Sequence, residues 1–86
     1  MSPFEWRPSE LRPYEFGKRL RAARRYVGWS QTELSKRSGI HNMVISKLER
    51  GENPDVRGAT LRKLAATLGV KADWLLSLTD EMKDAA

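Results

Sequence analysis

The chain has no cysteine in its 86 residues. Disulfides and thiolate metal sites are therefore impossible, and a reducing cytoplasm is the natural setting. Histidine occurs once, at His41, so no second imidazole can complete a zinc site, and neither a metal nor another cofactor is expected. Long apolar runs are missing too. No stretch reaches the length needed to span a bilayer, and the first residues hold charges and prolines where a signal peptide would need an apolar run. The chain is not expected to be an enzyme. No glycine-rich phosphate loop follows a strand, no paired carboxylates are placed for acid–base work, and no serine–histidine–aspartate set stands out. A chain of this length is expected to form one domain with a modest core, leaving no room for a separate catalytic domain, and pairing with a second copy would add to its stability.

What the chain does have is positive charge, unevenly spread. Lys and Arg number 16 against 11 acids, a net +5. Residues 1–50 carry +6, whereas residues 51–86 carry −1. Such cations either keep a small protein soluble or face a polyanion. In the second case nucleic acid fits better than a membrane, because no basic amphipathic helix with a broad apolar face is free of the core.

The stretch from Trp29 to Gly51 reads as two short helices joined by a tight glycine turn. Ser30 is placed to cap the first, over about Gln31 to Ser38, with Glu33 reaching back to the Ser30 amide and Trp29 and Leu34 at the staple positions. Gly39 supplies the left-handed residue that ends it. In the second, over about Asn42 to Arg50, Ile40, Ile45 and Leu48 fall on one side. Asn42, Met43, Ser46 and Lys47 fall on the other. An exposed face offering an amide, a thioether, a hydroxyl and an ammonium is equipped to read base edges.

Around this unit the pattern remains helical. Residues 1–12 form an arm with Pro3, Phe4, Trp6 and Pro8, too interrupted by proline for a long helix. Residues 13–78 are read as the domain and 79–86 as a short, mostly polar tail. Pro13 suits the first turn of a helix running to about Val27, with Phe16, Leu20, Ala23 and Val27 inward, Lys18, Arg21 and Arg25 on the opposite face, and Gly28 as its stop. After the turn-rich segment Gly51 to Gly58, Leu61, Leu64, Ala65 and Leu68 mark a fourth helix that Gly69 ends. A fifth, over about Ala72 to Leu78, is expected to bury Val70, Leu75 and Leu78 and to leave Trp74 and Leu76 partly exposed.

Ser30-Gln31, Glu33-Leu34, Gly39, Ile45-Ser46, Leu48-Glu49-Arg50-Gly51 and the later run LRKLAATLGVKADWLL together resemble the lambdoid phage repressor and Cro-like (XRE-type) helix-turn-helix proteins. The resemblance covers roughly Phe16 to Leu78. It implies an all-α, compact five-helix domain of the lambda-repressor type. It also implies a sequence-specific regulator of transcription that binds double-stranded DNA, as a homodimer repressing from a palindromic operator. The alternative is an antitoxin or restriction-modification controller whose domain also binds a protein partner, such as a toxin or an effector domain carried elsewhere. Trp74, Leu76 and Leu78 would then form part of the partner surface.

By the same resemblance Asn42, Met43, Ser46 and Lys47 face the major groove, while Gln31, His41, Arg50 and Arg57 lie along the backbone. Arg24 and Glu49 form an ion pair tying the first helix to the third. Each has a plainer reading. Gln31, Arg50 and Arg57 can be ordinary solvated residues, and Arg24 and Glu49 two independent charges. Two positions depart from the family pattern. His41 stands where Ser or Thr usually caps and can serve as cap or phosphate neighbour. Val44 replaces a frequent hydroxyl and either meets a thymine methyl or packs at the helix edge. Arg7 and Arg12 in the arm are placed to reach a groove, or else the arm packs on the domain through Phe4 and Trp6.

Overall fold

Apolar residues spaced three and four apart give each main segment one buried stripe, and the stripes meet in a single core. The computed structural model describes residues 13–52 and 58–83. Five helices follow in order: α1 Pro13–Tyr26, α2 Gln31–Ser38, α3 Asn42–Glu49, α4 Gly58–Leu68 and α5 Ala72–Leu75. Phe16, Leu20 and Ala23 of α1, Leu34 of α2, Ile45 and Leu48 of α3, Leu64, Ala65 and Leu68 of α4 and Leu75 of α5 are all buried. Ile40 and Val70 fill the core from the connections. The arm, Arg7, Arg12 and Arg57 lie outside the described residues.

Helix α1 crosses the carboxyl end of α3 with backbone against backbone. A Cβ placed on Gly17 would lie 2.5 Å from the Leu48 carbonyl oxygen and 2.6 Å from that of Glu49. Glycine inside a helix ordinarily costs stability relative to alanine. Here it lets the two helices approach closely.

The helix ends follow one device. After α1, α3 and α4 the chain turns on Gly28, Gly51 and Gly69, each with positive φ. The same pair of reversed bonds recurs, as in Trp29 N–H to the Arg24 carbonyl and Gly28 N–H to the Arg25 carbonyl. Helix α5 ends on the same bonds, with Leu78 N–H donating to the Asp73 carbonyl and Ser77 N–H to that of Trp74. There the left-handed position falls on Ser77, at φ 61°, and its Oγ is buried without a hydrogen-bond partner.

This early turn corrects two sequence expectations. Helix α5 stops at Leu75 instead of running to Leu78, and Leu78 is 41% exposed instead of buried. Trp74 and Leu76 are half-buried. Beyond the turn the chain folds back. Lys71 N–H donates to the Met82 carbonyl, and Met82 packs against the core. Arg19 Nη1 donates to the Trp74 carbonyl at 2.7 Å and the Thr79 carbonyl at 2.9 Å, while its guanidinium lies over the Trp74 ring.

Candidate nucleic-acid interface

Helix α2 starts at Ser30, whose Oγ accepts from the Glu33 backbone N–H at 3.0 Å. The expected return bond gives way to a side-chain pair: the Glu33 carboxylate accepts from Arg37 one turn on, at 2.7 Å. Arg37 in turn lies over the half-buried Trp29 ring. Gly39 ends α2 at φ 76°, its N–H donating to the Ser35 carbonyl. Ser35 Oγ then donates to the Ile40 carbonyl at 2.6 Å, so the turn is braced from α2 and delivers buried Ile40 to the core.

His41 caps α3. Its Nδ1 accepts from the Met43 backbone N–H at 3.0 Å, which places the ring proton of the neutral form on the exposed Nε2. Ile45 and Leu48 are buried beneath the helix, and Val44 packs at the edge of the core. On the outer face Met43 is 60% exposed, Lys47 is exposed, and Asn42 and Ser46 are half-buried. Asn42 Nδ2 donates to Thr32 Oγ1 of α2 at 3.2 Å. Ser46 Oγ accepts from Arg50 Nη1 at 2.7 Å, and the same guanidinium pairs with Glu52, Nε to Oε2, at 2.6 Å. Gln31, His41, Asn42, Met43, Ser46 and Arg50 line one shallow concavity of about 490 Å³.

Behind this face lies a buried carboxylate. Glu49 is 5% exposed and accepts from two helices. Arg24 of α1 holds it at both oxygens, Nε to Oε2 at 2.7 Å and Nη2 to Oε1 at 3.0 Å. Gln31 Nε2 at the start of α2 reaches Oε1 at 3.0 Å, and Arg21 Nε reaches it at 3.4 Å. Arg24 also donates to the Trp29 carbonyl at 2.8 Å. Burial alone would raise the Glu49 pKa. The hydrogen bonds from Arg24, Gln31 and Arg21, together with the Arg24 charge, outweigh it and hold the carboxyl below its ordinary range. The Arg24 guanidinium is pushed up chiefly by its bonds to Glu49, against the opposing effect of its own burial. One acid thus fixes α1, α2 and α3 to one another, and its charge is compensated before any anion approaches.

The structure therefore brings Gln31, His41, Asn42, Met43, Ser46 and Arg50 to one concavity and pairs Arg24 with Glu49 behind them; Lys47 is exposed on α3 but does not line that concavity. Sequence reasoning missed Gly17 and Thr32, and it placed Arg21 on the outward face of the first helix without its contact to Glu49. Only Gly17 left a signal, as a glycine in the middle of an otherwise regular helical pattern.

Two short helices about a glycine turn, the second with a polar outward face, define a helix-turn-helix protein. Residues 20–75 match the family model described as Helix-turn-helix, and the chain belongs to the helix-turn-helix family of transcriptional regulators. It is 42% identical over 66 residues to the HTH-type transcriptional regulator y4dJ of Sinorhizobium fredii, covering 76% of this chain and 83% of that protein. It is 39% identical over 62 residues to the regulator RghRB of Bacillus subtilis, covering 72% of this chain but only 45% of that protein. The solved structure of the restriction-modification controller protein C.AhdI from Aeromonas hydrophila superposes with a TM-score of 0.69 at 33% identity, over 73% of this chain and 94% of that one.

Proposed function

We propose that the chain binds double-stranded DNA sequence-specifically, as a two-fold dimer on a palindromic operator, and represses transcription by occupying it. The observation that carries this reading is the division of α3. Ile45, Leu48 and Glu49 face inward and are fully engaged, while Asn42, Met43 and Ser46 share a concavity with Gln31 at the amino end of α2 and Lys47 is exposed. In this reading Asn42 pairs with adenine, Lys47 with guanine, and Met43 meets a thymine methyl. The second amide hydrogen of Gln31, the α2 amino end and His41 Nε2–H donate to phosphates. Arg50 joins them by exchanging Glu52 for the DNA backbone, and Arg57 is assigned the same role.

Selection of bound duplexes from a random pool, footprinted base by base, tests the reading. The expected product is a palindrome with half-site centres about 34 Å apart. Asn42→Ala and Lys47→Ala are expected to keep the parent melting temperature and to cost about 1 to 3 kcal/mol at one base pair of each half-site. Equal loss on every sequence would make these residues backbone contacts. No loss at all, with folding intact, would move the function to another surface.

The likeness to a restriction-modification controller supports a second reading, in which the domain acts as a controller and also binds a protein partner. Among the described residues, Leu78 and Tyr26 are exposed large apolar side chains outside the α3 face and are available to it. Sedimentation of the protein alone and on its selected duplex separates a self-paired regulator from a monomer awaiting another partner.

A further inference from the structure

The face of α1 turned from the core carries Lys18, Arg21, Ala22 and Arg25, all exposed. Their spacing of three, four and seven residues aligns them in one stripe. It runs about 10 Å along the helix, at 1.5 Å per residue. With Arg50 and Glu49 these residues line a concavity of about 440 Å³. Arg50 also lines the concavity of the α3 face, so the two depressions meet at the carboxyl end of α3. The acid in the wall, Glu49, is already answered by Arg24 from behind. Four cations therefore flank one carboxylate that Arg24 compensates, and one of the four, Arg50, is itself paired with Glu52. At the centre of the stripe Ala22 presents only a methyl group, which lets a bulky polyanion come close to the helix.

We infer that this face of α1 is a second DNA-backbone surface, engaging phosphates next to those beside α3 on the same duplex. The inference rests on the DNA-binding reading above and extends the footprint past the helix-turn-helix. A sugar–phosphate strand suits it because the residues lining this concavity offer charge and, beyond the Ala22 methyl, no apolar group, while the exposed Tyr26 one turn on lies under the Lys83 ammonium. Contacts of this kind add affinity and fix orientation while leaving sequence preference unchanged.

The test uses the duplex that the parent protein itself selects. Arg21 is left intact because it touches Glu49. The double variant Lys18→Gln/Arg25→Gln is expected to bind every sequence more weakly, in the parent's order of preference. Its plot of log affinity against log salt should be shallower by about 1.8, at about 0.9 per phosphate released. Its ethylation-interference pattern should lose the phosphates that α1 covers. Ala22→Glu sets a carboxylate in the stripe without removing a cation and is expected to weaken binding about tenfold at low salt through like-charge repulsion. Ala22→Gln is expected to bind as the parent does. All are exposed sites, so parent-like melting is expected throughout. A parent-like salt slope and interference pattern in the double variant, with parent-like affinity in Ala22→Glu, overturns the inference and leaves DNA binding by α3 standing. A parent protein that retains no duplex at any salt concentration overturns both.

Discussion

Arg24 and Arg19 sit five residues apart on α1 and hold opposite halves of the molecule in different ways. Arg24 meets a buried carboxylate with two charge-assisted bonds, and a second helix joins through Gln31. Arg19 meets two neutral carbonyls, an indole face and the fully exposed Asp80 at 3.5 Å. The first arrangement is dry, mutual and intolerant of a missing member. The second is half-wet and leans on backbone acceptors that water can replace. The half that carries the α3 face is therefore pinned, and the half beyond α4 is held more lightly.

The largest effect is expected at the pinned half. Glu49→Ala leaves Arg24 largely buried without its partner and should cost about 3 to 5 kcal/mol, read from thermal or denaturant unfolding. The loss of a small fraction of that would show the carboxylate to be better solvated than its burial indicates. The same group sets a pH dependence. Because its pKa is lowered in the fold, its stabilisation is present above the ordinary glutamate value of about 4.3 and is lost as pH falls below it through the lowered folded value. The isosteric Glu49→Gln should flatten that part of the acid-unfolding curve.

Next comes Gly17→Ala, which drives a Cβ into the Leu48 and Glu49 carbonyls. Helix propensity alone would favour alanine by about 1 kcal/mol. The clash is expected to reverse the sign and give a net cost of about 1 to 3 kcal/mol. A variant melting at or above the parent would mean that α1 and α3 do not cross so closely.

At the lightly held half, Arg19→Ala should cost about 1 kcal/mol, since water can take over both carbonyls. The sharper readout is amide hydrogen exchange. Protection should fall at Lys71 and Leu78 and stay unchanged in α3. Smallest is Ser77→Gly, a stabilising change. It relieves a left-handed backbone costing about 1 to 2 kcal/mol and removes a buried, unpartnered hydroxyl, but the freer unfolded chain takes part of this back. A net gain of under about 1 kcal/mol is expected as a rise in melting temperature, and a fall would show that Ser77 is not strained.

The contrast also marks what the sequence made legible. Helices α1 to α4 were readable because Phe16, Leu20, Leu34, Ile45, Leu48, Leu64 and Leu68 repeat with helical period and glycines stand at the stops. The end of α5 was not, because the left-handed turn there falls on Ser77, which carries no sign of positive φ. The outward face of α3 could be assigned from phase alone. The additional Glu49 partners could not, since Arg21 reaches it across the α1–α3 crossing that Gly17 permits and Gln31 from the start of α2 where that helix packs against α3. Residue spacing records which face a side chain takes, but it does not record which faces of distant helices meet.

Fastening α3 from behind has an evolutionary consequence. The residues that secure the helix, Ile45, Leu48 and Glu49, share no position with those that look outward, Asn42, Met43, Ser46 and Lys47. If the outward set reads DNA as proposed, a lineage can exchange it by single substitutions, and change what it recognises, without passing through an unfolded intermediate.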